Sequence, residues 1–230
     1  MKTIVKRIVR FGVILALGFF LASIVSVAIL RFVPVWITPL MVIRSVEQLF
    51  DPEKQVVLKN SWVPLEDISS HVPLAVIAAE DQKFRTHGGF DWESIQQARK
   101  DIDSGKRFRG GSTISNQTAK NVFLWPGRNL LRKGMEAYFT FLIEGLWGKK
   151  RIMEVYLNVI EMGEGIYGIE AASQHFYKKP AKELSRQQSA YIAATLPNPR
   201  RWNPTKPTNY LQSRQAWILR NMNNLGLVEW

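Results

Sequence analysis

The chain has 230 residues, carries 31 Lys and Arg against 19 Asp and Glu, and contains no cysteine. The missing cysteine excludes a disulfide framework and a thiolate metal site. The formal charge of +12 calls for an anionic partner: nucleic acid, lipid headgroups or a phosphorylated substrate.

The N-terminus narrows that choice. Residues 11–30 carry no charged side chain, and roughly 20 apolar residues cross a bilayer core as a helix. Lys2, Lys6, Arg7 and Arg10 precede the run. Residues 1–10 are therefore expected in the cytoplasm, and everything after Arg31 across the membrane. A cleaved signal peptide has a shorter apolar region, about 7–15 residues, ending at a small-residue site. Here Leu30, Arg31 and Phe32 follow instead, so 11–30 reads as a retained transmembrane helix. Residues 1–31 hold Lys2, Lys6, Arg7, Arg10 and Arg31, which leaves +7 on the remainder. A basic domain tied to a bilayer meets headgroups or a phosphorylated substrate, not nucleic acid.

Residues 31–65 form a membrane-proximal segment ahead of a domain over 66–225. Between Phe32 and Phe50 the chain stays apolar but is broken by Pro34 and Pro39. It either lies in the interface with Trp36 at headgroup depth or packs beneath the domain. The rest reads as mainly α. Pro73 suits a helix start, and that helix is expected to set Glu80 and Phe84 four residues apart on one side. Asp91 reads as the N-cap of a helix through Asp101, and Ser112 as the N-cap of another. Residues 129–147 form a long amphipathic helix with Leu131, Met135, Tyr138, Leu142 and Leu146 on its apolar face. Gly148 stops it. Further helices follow over 151–160, 170–176, 183–195 and 208–225, with a Gly-rich loop over 163–168.

Three constellations carry chemistry. Glu80 ends the apolar run 73–79, where burial raises a carboxylate's pKa and makes it a proton acceptor near neutral pH. An isolated Glu would more often be an exposed helix acid; Asp81, Phe84, His87 and the pair Gly88-Gly89 set this one apart. His87 reads as a turn-fixing residue. Gly110-Gly111 before Ser112 and Thr113 offers free N–H groups and hydroxyls at a helix start, a geometry that accepts phosphate. Lys120 and Arg128 add positive charge, and Gln117 and Asn121 follow at helical spacing. Glu136 lies one turn past Arg132 and Lys133. That pattern also describes a surface ion pair worth tenths of a kcal/mol, and the residues alone do not decide.

These pieces, together with Ile152 to Asn158 and Gly165 to Ala172, resemble the ordered motifs of the peptidoglycan glycosyltransferase family (glycosyltransferase family 51), in its monofunctional, membrane-anchored, biosynthetic form. The resemblance runs from about Glu66 to Met222. It implies a mainly helical, lysozyme-like domain with a small membrane-proximal jaw. It implies polymerisation of lipid II, a disaccharide-peptide on polyprenyl pyrophosphate, at the bacterial inner (plasma) membrane with the domain periplasmic. Glu80 matches the catalytic base and Glu136 the second essential acid. Ser112, Lys120 and Arg128 match donor-side contacts; Gln117 and Asn121 match the motif's polar positions. Thr113, Arg132 and Lys133 join them as candidate pyrophosphate or sugar contacts, with Asp81, Phe84, His87 and Gly88 in support. The resemblance fixes no cofactor and leaves room for a divalent cation, Mg2+ or Mn2+, at the pyrophosphate. It leaves room, too, for other cell-wall synthesis or division proteins as partners. Asn116 departs from the family's usual glutamine, and Met135 from its usual basic or polar residue. Two rivals remain: a lysozyme-like or lytic enzyme that cleaves glycan, which needs no phosphate cradle, and a non-catalytic membrane-anchored scaffold, which needs neither acid.

Overall fold

The computed structural model describes residues 2–53, 55–104, 111–127, 129–226 and 230. Helix α1 (Lys2–Leu30) contains the whole apolar run. Its flank from Phe19 onward meets the domain rather than empty space. Phe19 and Phe20 pack on the ring of Tyr138, with centroids 6.0 and 5.5 Å away. The Ser23 and Tyr138 hydroxyls lie 2.6 Å apart, Trp147 Nε1 donates to Val27 O at 2.7 Å, and Arg151 donates to Leu30 O and Val33 O.

Helix α2 (Pro39–Leu49) begins with Thr38 as N-cap and Pro39 at its first position, where a missing N–H costs nothing. Met41 and Gln48, seven residues apart, are buried. Val42, Val46 and Leu49 point outward, as do Trp36 and Ile37 ahead of the helix. One face of the segment thus packs under the domain, one of the two arrangements the sequence left open, and the other face is apolar and exposed.

The site is built by α3 (His71–Glu80), α4 (Trp92–Asp103), α5 (Ile114–Phe123), α6 (Leu130–Leu146) and α7 (Gly148–Val159). Helices α8 (Ile169–Tyr177), α9 (Arg186–Thr195) and α10 (Asn209–Leu225) complete the domain, with α9 and α10 both packed on α3. Several boundaries move from expectation. Helix α3 starts two residues before Pro73 and ends at Glu80, so Phe84 lies in the turn beyond rather than on the helix. The N-cap of α5 is Thr113, not Ser112. Residues 163–168 are not simply loop. Strands β2 (Glu161–Gly163) and β3 (Ile166–Tyr167) form an antiparallel pair, and β1 (Lys59–Asn60) joins β3 in parallel. The turn needs glycine at 165, where φ is +69° and a Cβ would sit 2.2 Å from Val57 O.

The long amphipathic helix α6 buries a face rotated by one residue from the predicted one. Arg132, Glu136, Phe139, Thr140 and Ile143 are buried, whereas Leu131 is 70% exposed. The apolar count finds the neighbouring stripe, whose Met135, Tyr138, Leu142 and Leu146 are partly buried against the core, with Tyr138 also meeting α1. The stripe that meets the site is partly polar and does not register as hydrophobic periodicity.

Candidate active site

Glu80 is the last residue of α3, on the floor of a cleft of about 720 Å3. One wall is formed by Asp81 to Lys83, Asp91, Ser94 and Gly111 to Thr113, the other by Pro197, Tyr210, Arg214 and Trp217. Burial pushes the Glu80 carboxyl above its ordinary pKa; Gln117, Arg214 and Lys120 pull it back, while Asp81 adds to the rise. Gln117 Nε2 donates to Glu80 Oε2 at 2.9 Å, and Tyr156 donates through its hydroxyl to Gln117 Oε1 at 3.3 Å. Burial holds the Tyr156 phenol well above its usual pKa, so it stays protonated and its donor role is fixed. Gln117 is therefore oriented to hold the Glu80 carboxylate. Tyr156 was singled out by no spacing rule; it lies inside the motif 152–158 as one more apolar position.

The turn after α3 is locked from both sides. Gly89 N–H donates to His87 Nδ1 at 3.0 Å, which leaves the proton on Nε2, and Nε2 lies 2.9 Å from Asp81 Oδ2. Asp81 also accepts from Ile114 N, tying the turn to the start of α5. His87 fixes a turn, as its position suggested. Phe84 is fully buried and its ring carries Lys149 Nζ at 4.7 Å. Of the paired glycines, Gly89 is the constrained one: its φ is +91° and a Cβ would meet Thr140 Cγ2 at 2.8 Å, whereas a Cβ on Gly88 meets open space.

At the start of α5, Ser112 is exposed and lines the cleft. Thr113 is engaged inside the protein. Its hydroxyl donates to Gly89 O and accepts from Asn116 N, and Asn116 Oδ1 accepts from Thr113 N. This is a capping box, a motif that ordinarily uses Glu or Gln at the third helical position. Asn116 adds bonds to Gly89 O and Thr140 Oγ1, which its shorter side chain reaches while buried. Asn116→Gln is expected to keep the cap and leave turnover within about tenfold, or roughly 1.4 kcal/mol of barrier. One surplus methylene in this packed spot costs about 1–3 kcal/mol, read as a lower melting temperature. Near-complete loss of turnover would mean that Asn116 does more than cap. Asn121 Nδ2 donates to Gln117 O, within its own helix.

The second acid is not a surface pair. Glu136 is 3% exposed; Arg132 Nη1 donates to it at 2.6 Å, and Lys133 pairs with its other oxygen. Arg132 is buried as well, whereas Lys133 is exposed. Lys120 comes within electrostatic reach of both acids. Burial lowers its pKa, Arg132 and Lys133 add to the fall, and Glu136 and Glu80 oppose it. Arg128 and Gly110 lie outside the described residues. Among those described, no group of three or more His, Asp or Glu side chains is placed to hold a metal ion, and both Glu136 oxygens already face cations.

Apart from Tyr156, the motif 152–158 is structural. Asn158 bonds both the N–H and the C=O of Val63, and Glu154 accepts from Leu65 N and pairs with Arg151. Besides Tyr156, the sequence reading missed Arg214 and Trp217. They sit on a helix far from every motif, and only the packing of α10 on α3 brings them to the cleft.

The model of the Transglycosylase family matches residues 48–223. The chain belongs to this family. A biosynthetic peptidoglycan transglycosylase of Bacteroides thetaiotaomicron is 54% identical over 219 residues, covering 95% of this chain and 88% of the relative. Another protein of that name, from Pseudomonas syringae pv. syringae, is 48% identical over 230 residues, covering 100% and 95%. One from Bdellovibrio bacteriovorus is 55% identical over 201 residues, covering 87% and 80%. For this transglycosylase the expected class, a mainly helical lysozyme-like domain behind an apolar N-terminal helix, stands.

Proposed function

We propose that this transglycosylase polymerises lipid II into glycan strands in cell-wall synthesis, releasing polyprenyl pyrophosphate. One observation carries the reading. A carboxylate of raised proton affinity, Glu80, lies within electrostatic reach of the half-buried Lys120, as does a second, buried acid, Glu136, that pairs directly with two cations, Arg132 and Lys133. A glycan-cleaving enzyme needs the first carboxylate alone. A phosphate-leaving transfer needs the cations as well. The names of the relatives support the same substrate.

In this mechanism Glu80 takes the proton of the 4-hydroxyl on the incoming lipid II. The freed oxygen attacks the anomeric carbon of the lipid-linked strand, and the bond from that carbon to the pyrophosphate oxygen breaks. Charge growing on the pyrophosphate meets Lys120, Lys133 and the exposed Ser112 ahead of α5, whose own first N–H groups are taken up by Asp81, Thr113 and Asn116. Glu136 aims Arg132 and Lys133 rather than touching sugar. A divalent cation, Mg2+ or Mn2+, would have to be held chiefly by the pyrophosphate and would supply further charge to the leaving group, since both Glu136 oxygens already face Arg132 and Lys133. Labelled lipid II tests the function: polymer supports it, shortening of preformed glycan favours a lytic enzyme, and neither product favours a scaffold.

The localisation belongs to the same proposal. The chain is a single-pass protein of the inner (plasma) membrane, with a cytoplasmic N-terminus and a periplasmic domain. The supporting features are the 29-residue apolar helix and the four cations that open it, by the excess of Lys and Arg on the cytoplasmic side. Protease added to spheroplasts is expected to digest the domain and spare a short N-terminal stub. Full protection of the domain overturns the orientation.

A further inference from the structure

We infer that Arg214 is a positioning residue for the reaction: from α10 it holds Glu80 in its ionised, proton-accepting form. The inference rests on the reading of Glu80 as the base.

A carboxylate at the last residue of a helix faces the negative end of the helix dipole, and its charge is disfavoured there. Glu80 occupies that position on α3. Burial disfavours the charge further. A base in such a place needs a fixed cation, and Arg214 is built to be one. Its Nη2 donates to Ala79 O at 2.9 Å, capping the very helix end that bears Glu80. Its guanidinium lies over the Trp217 ring, with Cζ 4.3 Å from the centroid. Its Nε is buried with no hydrogen-bond partner, so the group is retained there as a charge rather than as a fully bonded fork. Together these fix a cation beside the base before any substrate arrives.

The other groups around Glu80 do different work. Asp81, next in the chain, opposes its ionisation and is committed to His87 and Ile114 N. From α5, Gln117 bonds the carboxylate without charge, and Lys120 divides its charge between Glu80 and Glu136. From α7, Tyr156 is neutral. Helix α9 also packs on α3; its Arg186 bonds Asn223, and its Tyr191 acts on Tyr177. Among the described residues, Arg214 is thus the cation acting on Glu80 that is not also drawn to Glu136.

The test is the pH dependence of kcat/KM for lipid II polymerisation by the full chain in detergent or liposomes. This quantity reports the free enzyme's essential base. Arg214→Gln and Arg214→Met remove the charge; the Met side chain keeps an apolar stem over Trp217 and covers the case in which Gln does not fold. Both are expected to move the acid limb upward by about one pH unit or more, the effect of an opposite charge at close range, with activity recovering at alkaline pH. Arg214→Lys should return the limb most of the way. A structural role would lower the rate at every pH without moving the limb, and Lys would rescue no better than Met; either result overturns the inference. Glu80→Gln, run alongside, separates the two claims. If it is inactive while the limb of the Arg214 variants stays in place, Arg214 is misassigned; if it is active, the reading of Glu80 has failed.

Discussion

Glu80→Gln is expected to lower lipid II turnover by about 10²–10⁴-fold, the usual contribution of a positioned general base. The substitution keeps size and one carbonyl oxygen, so the bond from Gln117 Nε2 is retained and the turn held by His87 and Asp81 is untouched. The protein should melt near the wild-type temperature and still bind lipid II, because Ser112, Lys120 and Lys133 remain. The measurement is single-turnover transfer with labelled lipid II beside a binding isotherm. Turnover close to wild type would falsify the assignment of Glu80 as base.

Glu136→Gln is expected to do two kinds of damage. Arg132 is buried against Glu136, and removing one partner of such a pair leaves a bare charge in the interior, at about 3–5 kcal/mol. For a chain of this size that is roughly 10 °C or more in melting temperature. Turnover should fall as well, since Arg132 and Lys133 lose the group that aims them. The double variant Arg132→Met, Glu136→Leu distinguishes the losses. Replacing the whole pair by apolar residues should restore much of the stability and none of the activity. A double variant that regains both would reduce Glu136 to a packing role. An unchanged melting temperature in Glu136→Gln would show that the pair is not buried as described.

Much of the site was legible because its chemistry is local in sequence. The run from Glu80 to Gly89 folds into one turn, and the start of α5 needs only a cap and a helix. What stayed hidden came from tertiary placement. Arg214 and Trp217 carry no local signature; an Arg and a Trp three residues apart read as one flank of an ordinary helix. Phe84 was assigned to the helix of Glu80 because apolar spacing does not announce where a helix stops, and here Asp81 leaves helical geometry with φ −159° and ψ 78°. On α6 the periodicity pointed at Leu131 and Tyr138, whereas the catalytic stripe is the polar one beside it. Pattern finds where oil goes, and on this helix oil and chemistry lie on adjacent faces. Thr113 and Asn121 were candidate substrate contacts, yet the Thr113 hydroxyl is engaged by Gly89 O and Asn116 N, and Asn121 Nδ2 by Gln117 O.

The seat of α1 on α6 also sets an altitude. Between Phe11, where the charge-free run begins, and Phe19, where contact with Tyr138 begins, the helix climbs only about 12 Å at roughly 1.5 Å per residue. A hydrocarbon core is about 30 Å thick. A helix spanning with residues 11–30 therefore carries the near edge of the catalytic domain down into the lipid instead of holding it aloft on a stalk. Leu130, Leu131 and Phe141 of the same helix, α6, are 91, 70 and 73% exposed, and acyl chains suit them better than water. On the proposed topology the enzyme floats like a hull with a shallow draught. A pyrophosphate at the headgroup plane can be met there without its polyprenyl tail leaving the oil.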